Sequence, residues 1–355
     1  MRKTFRIAAA AALLIAALGV PAQAQDKVVI GYSAPSLVGA QLQIQQGLVD
    51  AGQAKGWEVL TTTSGGDPNK QANDIRDYIA QGVNAIVAVP DDSAGICVVV
   101  EEAKAAKIPF YTIDRSPSGC TINLTVLSDN FLAGQQSGQA VVDFLTARYG
   151  EAKGTVLEIT GDLAQNVAQL RGGGFQDIIK KNPNINLITK LGNWNASTGV
   201  DIVRDVVSAE DVDAIYMHSD CVYTPGTLQV LGELGKLVPR GQDKHIFLAG
   251  VDACLQSLDS IRAGTSDQAS NQPIPDFGVV AADYIQQEMN GQPIVAGPVV
   301  KEGALWSPAH LDASDVGPQL FLSTTSVGPD NVNDPRLWGN IEAANAAASP
   351  AASPK

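Results

Sequence analysis

From Lys27 onward the apolar residues fall into two patterns that alternate along the chain. Short runs of apolar and β-branched residues, closed by turn formers, read as strands. Longer stretches with apolar positions every three or four residues read as amphipathic helices. The first half gives strands over 28–32, 57–62, 85–89 and 110–113, with helices over 39–56, 69–81 and 95–107 between them. The second half repeats the scheme, with strands over 155–159, 214–217 and 246–251 and extended pieces over 185–191 and 266–271. Its helices fall over 134–148, 198–209, 225–234 and 277–289, with one more around Arg171. Strands alternating with helices of this length build right-handed βαβ crossovers, which put every strand-to-helix loop on one rim of a parallel sheet.

The expected fold class is therefore α/β, with two doubly wound parallel-sheet lobes joined by a multi-strand hinge. The length supports two cores rather than one. Crossings between lobes are expected near 128–130, 270–271 and 302–307. They divide the chain into an N-terminal lobe (25–129 plus 271–303) and a C-terminal lobe (130–270 plus 304–328). Residues 329–355 turn Asn/Asp/Pro-rich and then Ala/Ser/Pro-rich, and are expected to form a poorly ordered tail. The alternative is a helix over 338–348, docked through Leu337 and Trp338.

The N-terminus changes the picture by giving an address. Arg2, Lys3 and Arg6 precede an apolar run over 7–20, and Pro21-Ala22-Gln23-Ala24 ends in a small-x-small pattern. This is the form of a secretory signal peptide over 1–24, so the mature chain is expected to be exported. No later run reaches the length of a membrane-spanning helix. With 24 Lys+Arg against 37 Asp+Glu the net charge is -13, which argues against nucleic acid or an anionic membrane as partner.

Export also gives the four cysteines a meaning. In an oxidising compartment an even count reads as disulfides, and four cysteines allow three connectivities. Cys97 and Cys120 both follow strand ends in the first half, and Cys221 and Cys254 do so in the second. Pairings Cys97–Cys120 and Cys221–Cys254 are expected. The spacings match no zinc pattern, and no metal is expected.

The most informative stretch is 107–119, KIPFYTIDRSPSG, where a short strand ends in Asp114-Arg115. In open α/β sheets ligands bind beyond the carboxyl ends of strands. An adjacent carboxylate and guanidinium there offer acceptors and a fork of donors, which suits a polyhydroxylated solute. A purely local ion pair is the plainer reading. Signals for catalysis are weak. Of the three histidines, His218, His245 and His310, only His218 closes a strand, with no nucleophile to pair it with. Gly172-Gly173-Gly174 lacks the lysine of a phosphate loop and reads as a tight helix start or close packing. Strand-end acids at Asp91, Asp92, Asp114, Asp220 and Asp252 leave a hydrolase using paired carboxylates as one alternative.

Several landmarks in order make a stronger statement than any one of them. They are Ile113-Asp114-Arg115, Leu127-Ser128-Asp129-Asn130, Arg171-Gly172-Gly173-Gly174-Phe175, Ser219-Asp220, Gly250-Val251-Asp252, and Asn271-Gln272-Pro273 before Phe277-Gly278. Over about 27–310 the chain resembles the periplasmic sugar-binding proteins of ATP-driven importers, the group with the type I periplasmic-binding-protein fold. The resemblance implies that Asp114 and Arg115 grip sugar hydroxyls, joined by Asp252 and the crossover residue Gln272. It implies that Trp194 packs on the apolar face of the ring. It also implies a monomer that takes up a sugar or polyol and docks on a membrane permease. An exported sensor that hands its ligand-bound shape to a receptor kinase would share the fold.

Departures from that pattern matter. The first loop, Ala34 to Gln41, has no aromatic residue. Gln169 stands where relatives carry an arginine, and Ser219 where they carry an asparagine. A polyol or modified sugar is then as good a candidate as ribose or galactose. Gln41, Asp91, Gln169 and Asp220 are secondary candidates for ligand contact.

Overall fold

The computed structural model describes residues 27–348, so the expected signal peptide lies outside the described residues. The first sheet begins with β1 (Val29–Ala34), β2 (Glu58–Thr63), β3 (Ala85–Ala88), β4 (Phe110–Ile113) and β5 (Leu124–Ser128). Crossover helices α1 (Gly39–Ala54), α2 (Pro68–Gln81) and α3 (Cys97–Ala105) connect the first four strands. The chain then enters the second lobe through α4 (Asn130–Tyr149), β6 (Gly154–Thr160), α5 (Asn166–Ile179), β7 (Ile185–Leu191) and α6 (Ala196–Ala209). That lobe continues with β8 (Ala214–Met217), α7 (Asp220–Glu233), β9 (Phe247–Asp252), α8 (Leu255–Arg262) and β10 (Gln268–Asn271). The chain returns as α9 (Ile274–Met289), β11 (Gly297–Val299), β12 (Ala309–Asp312) and β13 (Gln319–Leu322), then crosses again to β14 (Thr325–Val327) and α10 (Trp338–Ala348).

The first sheet runs β11-β12-β13-β5-β4-β3-β1-β2 and the second β14-β10-β9-β8-β6-β7. Parallel pairing holds throughout except at β11, β12 and β14, which add antiparallel edges. Strands β3, β4 and β8 are short, wholly apolar or threonine-bearing, and buried along their whole length, as sheets covered on both faces require. Helix signals are local. Asp67 caps α2 by accepting from the Asn69 amide, Pro68 follows at the first helical position, and left-handed Gly82 ends the helix. Ser219 caps α7 by accepting from the Val222 amide.

Several expectations change. The third crossing is at 323–324, between β13 and β14, not near 302–307. Ala309, Leu311, Leu320 and Leu322 alternate into the first core, so β12 and β13 extend the first sheet although 304–328 was assigned to the second lobe. Gly172, Gly173 and Gly174 lie inside α5 rather than at a helix start. Gly174 serves close packing on α4, where a Cβ would stand 2.0 Å from the Phe131 carbonyl oxygen, while Gly172 lies against His218 and Glu158. The segment after β14 is not a loose tail up to residue 348. Its Asn and Asp side chains cap turns, with Asn331 accepting from the Gly328 amide and Asp334 from the Arg336 amide. Leu337 and Trp338 are buried, and α10 packs on α8. Residues 349–355 lie outside the described residues.

Both disulfides are present as expected. Cys97–Cys120 ties the start of α3 to the loop after β4 with a Cα separation of 5.5 Å, and Cys221–Cys254 ties α7 to the loop after β9 at 5.8 Å. Among the described residues no helix is long and apolar enough to cross a membrane.

Candidate functional site

The strand-to-helix rims of the two lobes face each other across a cavity of about 460 Å³. The first lobe contributes the loop into α1, the first turn of α1 with Gln41, and Asp114-Arg115 directly after β4. Asp114 Oδ2 accepts from Gln41 Nε2 at 3.0 Å and lies 3.8 Å from Arg115 Nε. Arg115 Nη1 donates to the Pro90 carbonyl at 3.0 Å. The second lobe contributes Arg171 from α5, Trp194 from the loop after β7, Ser219 from the cap of α7, and Asp252 at the end of β9. Gln272 sits at the crossover after β10.

The second-lobe group is a closed network. Arg171 donates to Asn130 Oδ1 at 2.8 Å and to the His218 carbonyl, and pairs with Asp252 at 3.2 Å. Asp252 also accepts from Ser219 Oγ and, at 3.1 Å, from Gln272 Nε2. The Arg171 guanidinium lies 5.6 Å from the centre of the Trp194 ring, a cation–π distance. Trp194 is held at both ends, its amide donating to the Tyr223 hydroxyl at 2.9 Å and its indole N–H to Gln165 Oε1 at 2.6 Å.

Among the described residues, three buried atoms of cavity-lining side chains have no hydrogen-bond partner: Gln41 Oε1, Gln272 Oε1 and Arg115 Nε. Burial, with a smaller push from the charge of Arg171, holds the Arg115 guanidinium below its ordinary value, partly offset by Asp114 and Asp91. Burial likewise raises Asp252 above the usual carboxylate range, against the pull of Arg171 and Ser219. Backbone strain concentrates at the same rim. Asp114, Trp194 and Asp252 all have positive φ, 65°, 56° and 124°, values that β-carbon-bearing residues rarely adopt.

The lobes also touch beside the cavity. Gln165 Nε2 donates to the Asp91 carbonyl at 3.1 Å, the Ser116 amide donates to Asn166 Oδ1 at 3.0 Å, and the Ser93 amide donates to the Ala164 carbonyl at 3.3 Å.

A two-sheet chain with three crossings and a polar crevice between facing rims has clear counterparts. Residues 30–293 match the family described as periplasmic binding protein domain. The chain belongs to the periplasmic binding protein family. It is 27% identical over 267 residues to the ribose import binding protein RbsB of Bacillus subtilis (strain 168), covering 74% of this chain and 82% of that one. It is 31% identical over 229 residues to the galactofuranose-binding protein YtfQ of Escherichia coli (strain K12), covering 61% and 69%. The crystal structure of a galactofuranose binding protein superposes with a TM-score of 0.74 at 22% identity, covering 89% of this chain and 99% of that one.

Within this binding-protein frame the expected residues sort cleanly. Gln41, Asp114, Arg115, Trp194, Asp252 and Gln272 line the cavity. Three candidates do not. Gln169 is exposed on α5 and lines a separate crevice with Ser93, Ser116 and Asn166, its amide donating to the Leu163 carbonyl at 2.9 Å. Two residues along a helix turn a side chain to the far side, so the face that carries Val167 and Arg171 into the cavity carries Gln169 away. Asp91 is buried behind Arg115, where burial raises its carboxyl. Asp220 is buried behind Asp252, accepting from the Ala253 amide and from Ser257 Oγ. Burial and the neighbouring Asp252 push its carboxyl well above the ordinary range.

Sequence reasoning missed Arg171 and Ser219 as site residues, although both stood in the landmarks. The available signal for Arg171 was its i, i+4 spacing from Val167 on a helix that starts at the rim. Candidate catalysis at His218 finds no support in its surroundings. The ring is fully buried, with Nε2 3.0 Å from Glu158 Oε1, below the cavity floor rather than in it.

Proposed function

We propose that this chain binds a sugar or sugar-like polyol between its lobes, as the exported solute-binding component of an ABC-type importer. The observation that carries this reading is the set of partnerless atoms at the cavity. One buried donor, Arg115 Nε, and two buried acceptors, Gln41 Oε1 and Gln272 Oε1, belong to side chains that line it. A buried polar atom without a partner costs about 1–3 kcal/mol. A molecule whose hydroxyls both give and accept hydrogen bonds matches side chains that carry unused donors and acceptors. Trp194 supplies a flat apolar face for C–H groups between the hydroxyls. The cavity volume lies in the range of small-molecule sites.

The two relatives named for ribose and galactofuranose binding support the same solute class. Neighbouring charges at the rim are neutralised in pairs, Asp114 with Arg115 and Asp252 with Arg171, which suits an uncharged solute. Those carboxylates are thereby committed to holding arginines, which favours binding over hydrolysis. Solute touching both rims favours the closed arrangement, because only differential affinity for one state shifts a two-state equilibrium. The closed monomer in the periplasm then presents both lobes to a membrane permease.

A thermal-shift screen with D-ribose, D-xylose, D-galactose, xylitol and myo-inositol tests this. A ligand that binds only the folded chain raises the melting temperature with concentration. At least one of the five is expected to do so, and a flat response to all five at millimolar concentration would contradict the reading.

A further inference from the structure

The segment after the second sheet reaches back to the binding rim. Asp252 and Ala253 are consecutive residues with positive φ, 124° and 64°, and neither is glycine. Such a turn persists only where its surroundings over-determine it. Three protein groups do so here. The Trp338 indole N–H donates to the Asp252 carbonyl, which also accepts from the Gln272 amide at 3.3 Å. The Asp220 carboxylate accepts from the Ala253 amide at 3.1–3.2 Å through both oxygens, and is itself held by Ser257 Oγ at 2.6 Å. On the next residue, Cys254 is tied to Cys221.

Packing confirms how tightly α10 is seated. Trp338 is 2% exposed and Leu337 1%. A Cβ on Gly339 would stand 2.6 Å from the backbone of Cys254 and Leu255, so the first turn of α10 lies directly on the strained turn. Arg262 of α8 clamps the segment from outside, donating to Asn333 Oδ1 at 2.9 Å, to the Val332 carbonyl at 3.2 Å and to Asn340. The strap segment itself, Val332 to Asn340 with Trp338, lies beyond the residues that match the family, which end at 293.

We infer that Trp338 and Asp220 are positioning residues for solute binding: together they hold the strained Asp252–Ala253 turn from behind and so fix the aim of the Asp252 carboxylate into the cleft. Neither touches the cavity. The inference rests on the cleft reading above for its effect on affinity, but the strap on the turn can be tested without any solute. It also explains why a carboxylic acid is buried at position 220, where no ligand reaches it. Asp220 does the work of an acceptor for a backbone amide that the turn leaves facing inward.

Two variants isolate the contacts. Trp338→Phe keeps an aromatic ring, though a smaller one, and loses the N–H; Asp220→Ala loses the acceptor, and Asp220→Asn restores one. Amide hydrogen exchange on the full mature chain without solute is read over 249–256. Trp338→Phe and Asp220→Ala are expected to speed exchange there at least tenfold while β6 and β8 keep wild-type protection, and Asp220→Asn to recover most of the loss. Calorimetry with D-ribose, D-xylose and xylitol is expected to show the same two variants at least fivefold weaker than wild type. Ile75→Val, a core change in a first-lobe cluster separate from the one that holds Cys254 and Trp338, serves as control: it lowers the melting temperature but leaves affinity alone. Unchanged exchange over 249–256 in both variants overturns the strap. Faster exchange with wild-type affinity overturns the positioning role. If wild-type protein binds none of the three solutes, the cleft reading fails for them and the exchange data still decide the strap.

Discussion

Two acid–arginine pairs face each other across the cleft, and they are built in opposite ways. Asp114 and Arg115 are neighbours in sequence, set at a strand end, and loosely joined at 3.8 Å. Arg115 has one protein acceptor, the Pro90 carbonyl, and leaves its buried Nε without a partner. Arg171 and Asp252 come from different elements, meet at 3.2 Å, and are wrapped by Asn130, the His218 carbonyl, Ser219 and Gln272. The second-lobe pair is therefore a finished piece of protein, while the first-lobe pair has hydrogen-bonding capacity left over. A preorganised floor and an unfinished wall give a site that is rigid where the solute lands and gains most from it where the lobes close.

Breaking the finished pair should cost the most. Arg171→Met leaves the buried Asp252 carboxylate without its counter-charge, which for such pairs costs about 3–5 kcal/mol. Chemical denaturation is expected to show that loss in stability, with solute binding abolished. A stability within 1 kcal/mol of wild type would mean the network is not the floor described here. The first-lobe pair should behave differently. Asp114→Ala is expected to weaken solute binding by about 2–4 kcal/mol, because it strands Arg115 and Gln41 in the bound state. Its melting temperature without solute should barely move, since the pair is only loosely made.

The contrast also shows what could be read from the chain and what could not. A strand of Phe110–Ile113 closing on Asp114-Arg115 is local, so its position beyond a sheet edge follows from pattern alone. Arg171 and Asp252 are 81 positions apart and meet only because α5 starts, and β9 ends, on the same rim. Landmark order brought Asp252 into view through family resemblance, and Arg171 was passed over for Gln169 because alignment ignores which face of a helix points inward. Similar reasoning explains the tail. Asn331 and Asp334 give the composition of a loose segment, yet they cap turns, and two apolar residues, Leu337 and Trp338, suffice to seat the helix that follows. The antiparallel edge strands β11, β12 and β14 were missed because each is only three or four residues long and, unlike the equally short β3, β4 and β8, is not buried along its whole length.

Titration gives a smaller effect on the same side of the cleft. Asp220 is held well above the ordinary carboxylate range by burial and by Asp252, against hydrogen bonds from Ser257 and the Ala253 amide and the charge of Arg171. A folded-state value above the unfolded one means the folded chain binds that proton more tightly. Stability from this group is then fully present below the unfolded value, near pH 4, and is lost as pH rises from there toward the folded value. Asp220→Asn removes this titration, so its unfolding free energy should fall less than that of wild type between pH 4 and pH 7. Parallel slopes for the two proteins would show that Asp220 does not titrate as its surroundings demand. The smallest effect is expected at Gln169. Gln169→Ala should leave solute affinity within about twofold of wild type, since its side chain faces away from the cleft.

The central claim is that one solute is gripped from both rims at once. Isothermal titration of wild type, Arg115→Ala and Asp252→Asn with whichever of the five screened solutes shifts the wild-type melting temperature most tests it directly. Binding of one solute per chain, with at least a tenfold loss in each single variant, is the predicted result. Wild-type affinity in either variant would contradict the claim, because the solute would then be held by one lobe alone.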